Sequence, residues 1–240
     1  MEGRYLLISD LDGTLLGDND ALDEFAEWYE TQRDRLRLVY NSGRLVPSIL
    51  DSVASTSLPE PDAVIGGVGT QMESVRSEAP VPRWPAVSDG WQPLKICDIL
   101  AQYEELELQP GELLCEHKIS YFVHDAPPEF LEEIRQRLTA ASCRVELVYS
   151  SGRDLDVLPS GVNKGSAAAF LASQWAYEDE RVIVSGDTAN DLAMFHNGFR
   201  GVVVGNAHAE LRRLDSPSVF QASRTHAGGV LEGLTHWLGF

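Results

Sequence analysis

The stretch VIVSGDTANDLAMF, Val182 to Phe195, decides the fold. Val182 to Val184 form a β-branched apolar run that ends in Ser185-Gly186, and Asp187 follows at once. An apolar run without polar alternation is the pattern of a buried strand. Asn190 and Asp191 then open a helical stretch. In a parallel sheet covered by helices, ligands collect outside the carboxyl ends of the strands. Asp187 stands at such an end, and Asp191 can converge with it if the turn between them curls round one point. Carboxylates at a strand end are a usual way to hold Mg2+, which takes few protein oxygens and keeps several waters. Read alone, Asp191 is also compatible with a simple helix cap.

Working outward, the same arrangement recurs upstream. RYLLIS, Arg4 to Ser9, is a short apolar run, and DLDGT, Asp10 to Thr14, follows it directly. Two acids one residue apart, then glycine, suit a tight turn that aims one carboxylate at a substrate and the other at its leaving group. An ordinary acidic turn reads the same way. Ala21 to Arg33 has Leu22, Phe25, Ala26 and Tyr29 at helical spacing, and RLRLVY, Arg35 to Tyr40, returns as a strand. NSGR, Asn41 to Arg44, comes next. Ser42 offers a hydroxyl, Gly43 lets backbone N–H groups approach an anion, and Arg44 offers a charged fork, although Ser-Gly turns are common. Asp62 to Gly67 reads as a further strand. Downstream, Lys164 opens a helix over Lys164 to Trp175, where its ammonium can hold a phosphate or fix a carboxylate, or simply be solvated. Gly201 to Val204 and Ala209 to Leu214 continue the strand-helix rhythm.

The rhythm breaks between Pro59 and Pro93, which bracket six of the twelve prolines. Proline resists helix interiors and central strands, so a boundary is expected here. Beyond it the pattern predicts a helix over Leu94 to Glu105 with Leu94, Cys97, Leu100 and Tyr103 on one stripe. Extended chain is expected over Leu113 to His124, and a helix over Phe130 to Ala141 with Phe130, Leu131, Ile134 and Leu138 inward. Strands Arg144 to Ser150 and Asp154 to Pro159 are expected to join at Ser151-Gly152. The expected fold class is therefore α/β: a parallel-sheet core formed by residues 1–82 and 159–240, interrupted by an inserted α+β unit at 83–158.

Composition narrows the classes. The chain has 240 residues, 43% of them hydrophobic, enough for a sizeable core. Its formal charge of −18 argues against nucleic-acid partners and polybasic membrane attachment, which need positive fields. No run approaches the ~20 apolar residues that span a bilayer. Cys97, Cys115 and Cys143 are far apart, without metal-type spacing, and read as free thiols of a reducing compartment. A cytoplasmic location and a monomer are expected. Of nineteen basic residues only Lys95, Lys118 and Lys164 are lysines, so each merits inspection.

In order, Asp10 and Asp12, Ser42, Lys164, then Asp187 and Asp191 make a four-part pattern, each part at a strand end or helix start. The sequence resembles the haloacid-dehalogenase-like (HAD) phosphatases, with a Rossmannoid core and an insertion similar to a type IIB cap. LLISDLDGTLLGD, YNSGR, HKISYFV, SSGRDLDVLP, NKGSA, SGDTANDLAMF, GVVVGNAHAEL and HAGGVLEGL look like the sucrose-phosphatase branch. The resemblance implies a Mg2+-dependent phosphatase acting on a sugar phosphate, sucrose 6-phosphate first. Mannosylfructose phosphate or a glycosylglycerate phosphate is the near alternative; a non-catalytic sugar-phosphate-binding module or a phosphomutase is the more distant one. It implies that Asp10 is the nucleophile, that Asp12 is the acid and base, and that Ser42 and Lys164 stabilise the phosphoryl group. It further implies that Asp10, the Asp12 carbonyl and Asp187 hold the metal while Asp191 holds its waters. On the inserted unit, strand alternation places Lys118, Ser120 and Phe122 on one face and Ile119, Tyr121 and Val123 on the other. Lys118 and Asp156 are thus expected to face a sugar, with Gly43, Arg44, Asn190 and Asn206 reaching the substrate from the core. His226 is expected to have a core or capping role, and the five tryptophans are too scattered to form a stacking platform.

Overall fold

The computed structural model describes residues 4–76, 80–81, 83–85, 90–111 and 114–239. The chain begins β1 (Tyr5–Ser9), α1 (Asn19–Gln32), β2 (Leu36–Asn41), α2 (Val46–Ser55), β3 (Ala63–Gly66) and β4 (Gln71–Ser74). The inserted segment holds α3 (Pro93–Leu100), β5 (Glu107–Leu108), β6 (Ile119–Phe122), α4 (Pro128–Ala140), β7 (Val145–Ser150) and β8 (Asp154–Pro159). The chain then runs α5 (Lys164–Gln174), β9 (Val182–Gly186), α6 (Leu192–Phe195), β10 (Arg200–Val203), α7 (Ala209–Arg212), β11 (Val219–Gln221) and α8 (His226–Leu238).

Seven strands form one sheet in the order β11-β10-β9-β1-β2-β3-β4, parallel except for β4, which folds back on β3. β1 is central because both its faces are apolar: Leu6, Leu7 and Ile8 are fully buried. Leu7 packs in one cluster with Phe25 and Tyr29 of α1 and Val230 and Leu234 of α8. Leu6 and Ile8 pack on the other side with Ala168 and Leu171 of α5 and Met194 of α6. Crossovers leave β1 to both sides, so β1 and its neighbours β2 and β9 form the switch point where ligand crevices open. Register completes the placement. Ser9 lies opposite Tyr40 of β2 and Ser185 of β9. The residues just after these strands therefore emerge side by side.

The inserted segment builds a second, antiparallel sheet, β5-β6-β8-β7. One face packs Ile119, Tyr121, Leu155 and Val157 against Ile96, Leu100, Ile134 and Leu138 of α3 and α4. The other face is polar. The three-residue β7–β8 connection, Ser151 to Arg153, turns at Ser151 and Gly152, both with positive φ (56° and 62°), as the two central residues of a type I′ turn require. The ring of Trp84, inside the expected insertion, stacks on Phe170 of the main sheet's helical layer. Trp91 packs with the second sheet's cluster.

Two expectations change. The helix expected over Leu94 to Glu105 ends at Leu100. It buries Ile96 and Leu100, one turn apart, whereas Leu94 is 82% exposed. Of the expected stripe, Cys97, Leu100 and Tyr103 do pack in the core cluster, with Ile96 added to it, while Leu94, next to the helix-opening Pro93, is left outside. The extended chain expected from Leu113, which lies outside the described residues, is interrupted by a tight turn. There Cys115 and Lys118 exchange backbone hydrogen bonds of 3.3 and 3.2 Å, and the strand proper begins at Ile119. The structure also adds α2, β4, β5, β11 and α8. α8 contains Gly228, Gly229 and Gly233, poor helix formers. Close packing explains them: a Cβ at Gly233 would lie 2.3 Å from Val202 of β10.

Candidate active site

The ends of β1, β2 and β9 bring four separate pieces of sequence to one place. Asp10 follows β1, and its N–H donates to the Ser185 carbonyl of β9 at 3.0 Å. Asp187 follows β9. Asp191 ends a single 3₁₀ turn, Ala189–Asp191, so the helix expected at Asp191 begins one residue later. Lys164 opens α5, whose cap is Asn163: the Asn163 Oδ1 accepts from Ser166 N while Ser166 Oγ accepts from Asn163 N.

Lys164 is fully buried. Its Nζ donates to Asp10 Oδ1 at 2.6 Å and to Asp191 Oδ1 at 2.7 Å. Asp191 Oδ2 accepts from the backbone N–H groups of Asp187 and Thr188 at 3.0 and 3.2 Å. Both oxygens of Asp191 are thus engaged. Thr14 Oγ1 donates to Asp187 Oδ1 at 3.3 Å. Among the described residues no donor reaches Asp10 Oδ2, Asp187 Oδ2 or the Asp12 carbonyl. Gly13 fits the same picture. Its φ is +78°, and a Cβ there would lie 2.2 Å from Asp187 Oδ2.

Electrostatics point to a missing positive charge. Asp10, Asp187 and Asp191 place carboxylate oxygens within 4.8 Å of one another, against a single ammonium. Two negative charges therefore remain uncompensated when all three acids are ionised. Burial pushes the Asp10 carboxyl up to about 8; Lys164 opposes that rise, while Asp191 and Asp187 add to it. Burial and Asp191 raise Asp187 to about 6, with Lys164 and the Thr14 hydrogen bond opposing. Burial alone would lower the Lys164 ammonium, yet Asp10 and Asp191 hold its proton and raise it. Hard oxygen donors with an excess of two negative charges suit a divalent cation. Asp10 and Asp187 have the open oxygens for it, and Asp191, engaged by Lys164 and two amides, fixes the lysine and the Asp187 turn.

The cavity above this cluster measures about 660 Å³ and is closed on its far side by the second sheet. From the core it is lined by Asp10, Asp12, Gly43, Arg44, Asp187 and Asn190. Arg44 grips the Asp12 carboxylate with Nε, at 2.7 Å, and with Nη2, while its Nη1 donates to Ser52 Oγ at 2.7 Å. No acceptor among the described residues takes the Gly43 N–H, which leaves it available to an anion. Ser42 is buried and does not line the cavity; its Oγ accepts from Arg44 N at 3.1 Å. Asn206 is not at the cavity either. Its Nδ2 donates to the Gly13 carbonyl at 2.7 Å, and its Oδ1 accepts from His226 N at 2.9 Å. The amide expected to meet substrate instead ties the Asp10–Thr14 loop to the start of α8. His226 opens that helix at φ 51° with its ring against Gly17.

From the second sheet come Gln109, Lys118, Ser150, Arg153, Asp154 and Asp156. Lys118 Nζ donates to Ser120 Oγ at 2.5 Å and to Asp156 Oδ1 at 3.1 Å, and Ser120 Oγ donates to Asp156 Oδ1 at 2.5 Å. Gln109 Nε2 and Arg153 both reach Asp154. The alternation of Lys118 and Ser120 with Ile119 and Tyr121 matches the two faces of β6. Gln109, Arg153 and His208 are among the lining residues that sequence reading misses. His208 lies five residues beyond the end of β10, as the N-cap of α7, so strand-end position gives no signal for it. Its N–H donates to the Asp187 carbonyl at 2.8 Å.

A parallel α/β core with clustered carboxylates at its switch point, under an inserted α+β unit, is the architecture of a HAD-type phosphatase with a type IIB cap. The chain is a phosphoric monoester hydrolase of this superfamily. It belongs to the family described as sucrose-6F-phosphate phosphohydrolase, whose profile matches residues 3–238. It is 42% identical over 243 residues to the mannosylfructose-phosphate phosphatase of Agrobacterium fabrum, covering 99% of this chain and 98% of that one. It is 30% identical to sucrose-phosphatase 1 of Nicotiana tabacum across 98% of its own length, and spans 59% of that longer protein. Among solved structures, the sucrose-phosphatase of Synechocystis sp. in complex with sucrose and phosphate superposes with a TM-score of 0.89 at 30% identity, covering 98% of both chains. No helix among the described residues is long and apolar enough to cross a membrane.

Proposed function

We propose that this phosphatase hydrolyses the phosphate ester of a fructose-containing disaccharide, sucrose 6-phosphate first, with Mg2+ as cofactor. One observation carries the reading: a single cavity has the carboxylates of Asp10 and Asp187 on one wall and the buried polar pair Lys118 and Asp156, backed by Ser120, on the other. Buried polar groups that need hydroxyl partners discriminate strongly between sugars, because a wrong sugar leaves them unpaired. A second reading, mannosylfructose phosphate, is supported by the full-length likeness to the Agrobacterium enzyme. Glucose and mannose differ in one hydroxyl configuration, a difference such a wall can read. Residues 83–158 are the unit we assign to this selection, and 1–82 with 159–240 the unit we assign to catalysis.

In this reading Asp10 Oδ2, the oxygen free of Lys164, attacks phosphorus. The bond to the sugar oxygen breaks as an aspartyl-phosphate forms. Asp12 gives its proton to the departing oxygen, then takes one from the water that opens the intermediate. For this Asp12 leaves its bidentate pairing with Arg44, and the freed guanidinium meets the substrate. Lys164 and the Gly43 N–H neutralise phosphoryl oxygens. Asp10, Asp187 and the Asp12 carbonyl would hold Mg2+, which supplies further neutralisation of phosphoryl charge when bound.

Phosphate release tests the reading, measured as kcat/KM with Mg2+ on sucrose 6-phosphate, mannosylfructose phosphate, a glycosylglycerol phosphate and a glycosylglycerate phosphate. The expected result is a preference above tenfold for one of the two disaccharide esters. A spread below about tenfold, ~1.4 kcal/mol, would mark a generalist and overturn it.

A further inference from the structure

We propose that Glu146 and Asn163 form a positioning pair through which the cap sets the geometry of the catalytic lysine. The inference concerns the phosphatase chemistry itself and does not depend on which sugar the cap selects. Glu146 lies on β7 of the cap sheet, Asn163 on the last residue before α5. Glu146 Oε1 accepts a hydrogen bond from Asn163 Nδ2 at 2.5 Å. The other end of the same amide caps α5 through Ser166 N at 2.8 Å. One side chain thus joins a cap strand to the first turn of the helix whose opening residue is Lys164.

The chain geometry makes this coupling short. β8 of the cap ends at Pro159, and only residues 160–163 separate it from Lys164. Asn163 is also wedged against the core. A Cβ at Gly69, a left-handed residue at φ 93°, would lie 2.3 Å from the Asn163 carbonyl oxygen. On its other side Lys164 is committed to two carboxylates, and its own carbonyl accepts from Asn41 Nδ2 at 2.9 Å. Lys164 therefore has little freedom except through the helix start that Asn163 defines. β7 approaches the core at the same place. Glu146, Val148 and Tyr149 face Ala189, Asn190 and His196 across a cavity of about 260 Å³. This is the turn that carries Asp191, the second partner of Lys164.

A change of cap position reaches Lys164 by way of Glu146, Asn163 and the α5 cap. Neither residue touches the reacting atoms, and both act through Lys164. Misplacing a charge-stabilising group by a fraction of an ångström lowers turnover more than binding.

The test uses the full-length enzyme with Mg2+ and p-nitrophenyl phosphate, an ester with no sugar for the cap to recognise. Glu146→Ala is expected to lower kcat about tenfold or more, with KM changed less than about threefold and most of the loss recovered in Glu146→Gln, which keeps an acceptor. Asn163→Asp still caps α5 but turns a donor into a carboxylate facing Glu146. It is expected to reproduce the kcat loss, and it provides a second route should Glu146→Ala fold poorly. Unchanged kcat in either well-folded variant would overturn the pairing, as would a loss carried by KM. A Glu146→Gln variant as slow as Glu146→Ala would do the same. Because the readout contains no sugar, a failed sugar preference and a failed pairing are seen separately.

Discussion

Two buried lysines can be set side by side. Lys118 in the cap lines the cavity, Lys164 in the core lies fully buried behind the lining residue Asp10, and each is held by carboxylate oxygen. Their partners differ in origin. Lys164 bonds to residues 154 and 27 positions away, delivered by the ends of separate parallel strands. Lys118 bonds to residues 2 and 38 positions away on adjacent antiparallel strands, where Ser120 and Asp156 are register partners. Sheet topology thus sets the first cluster, and dismantling it disturbs several elements. The second is set by side-chain alternation on a local sheet. It can be rewritten, residue by residue, without moving the backbone. In the proposed reading, chemistry and selectivity are separated by how each lysine's partners are brought to it.

The sharpest way to break the comparison is at the core. Asp10→Asn is expected to cost at least about 10³-fold in kcat with the circular-dichroism spectrum unchanged. Substantial activity there would remove Asp10 as nucleophile. Lys164→Ala leaves Asp10 and Asp191 buried without their cation, and removal of one partner from a buried pair costs about 3–5 kcal/mol. Its denaturation midpoint should drop accordingly. In the cap, Lys118→Ala also strands Asp156, but Ser120 remains bonded to that carboxylate. A smaller loss of stability is expected, and turnover of p-nitrophenyl phosphate should stay within about threefold of wild type while KM for the sugar phosphate rises about tenfold. Equal damage to both activities would erase the distinction between the two lysines.

A metal and pH experiment acts on the core cluster alone. Asp10 and Asp187 are raised to about 8 and about 6, above their ordinary value of 3.8. The folded protein therefore keeps protons there that the unfolded chain releases above that value. Their stabilising contribution is complete below the unfolded value. It falls as pH rises through the two folded values, over roughly pH 4 to 8. A divalent cation replaces those protons. The gain in Tm on adding Mg2+ should accordingly be small near pH 5.5 and larger near pH 8.5, and EDTA should stop turnover until Mg2+ is restored. An equal gain at both pH values would mean that the ion does not sit on these acids.

The parts legible in the sequence are those in which local pattern and function coincide. The apolar runs of β1 and β9 end directly in Asp10 and Asp187, so strand identity and site identity are read in one step. The alternation in β6 likewise gives the correct faces for Lys118 and Tyr121. Elements stabilised from a distance were hidden. α8 carries three glycines, and the reason for two of them, Gly233 and Gly229, lies in Val202 and in the Arg224 carbonyl. Ser42 and Asn206 illustrate a different limit. Their residue types suit substrate contact, but a local bond from Arg44 N in one case, and bonds to the distant Gly13 and His226 in the other, engage their polar atoms. Residue type and strand-end position mark a site, but they do not say which polar groups the protein itself has already engaged.

The smallest effect concerns the turn that keeps the cap's polar strand in register. Arg153 N donates to the Ser150 carbonyl at 3.1 Å, closing a β-turn with Ser151 and Gly152, both left-handed, at its centre. Glycine takes that conformation freely. Serine does so at some cost, and asparagine is the favoured first residue of such turns. Ser151→Asn is therefore expected to stabilise the protein by about 0.5–1 kcal/mol, seen as a rise in Tm of about 1–3 °C. Ser151 also lines the cavity, which makes the variant informative beyond stability. If the turn serves register alone, kcat and KM for the sugar phosphate stay at wild-type values while Tm rises. A KM that rises together with Tm would show that the Ser151 hydroxyl itself meets the sugar, so that backbone strain is retained there for recognition. The turn would then belong to the selective wall, together with its neighbours Ser150 and Arg153.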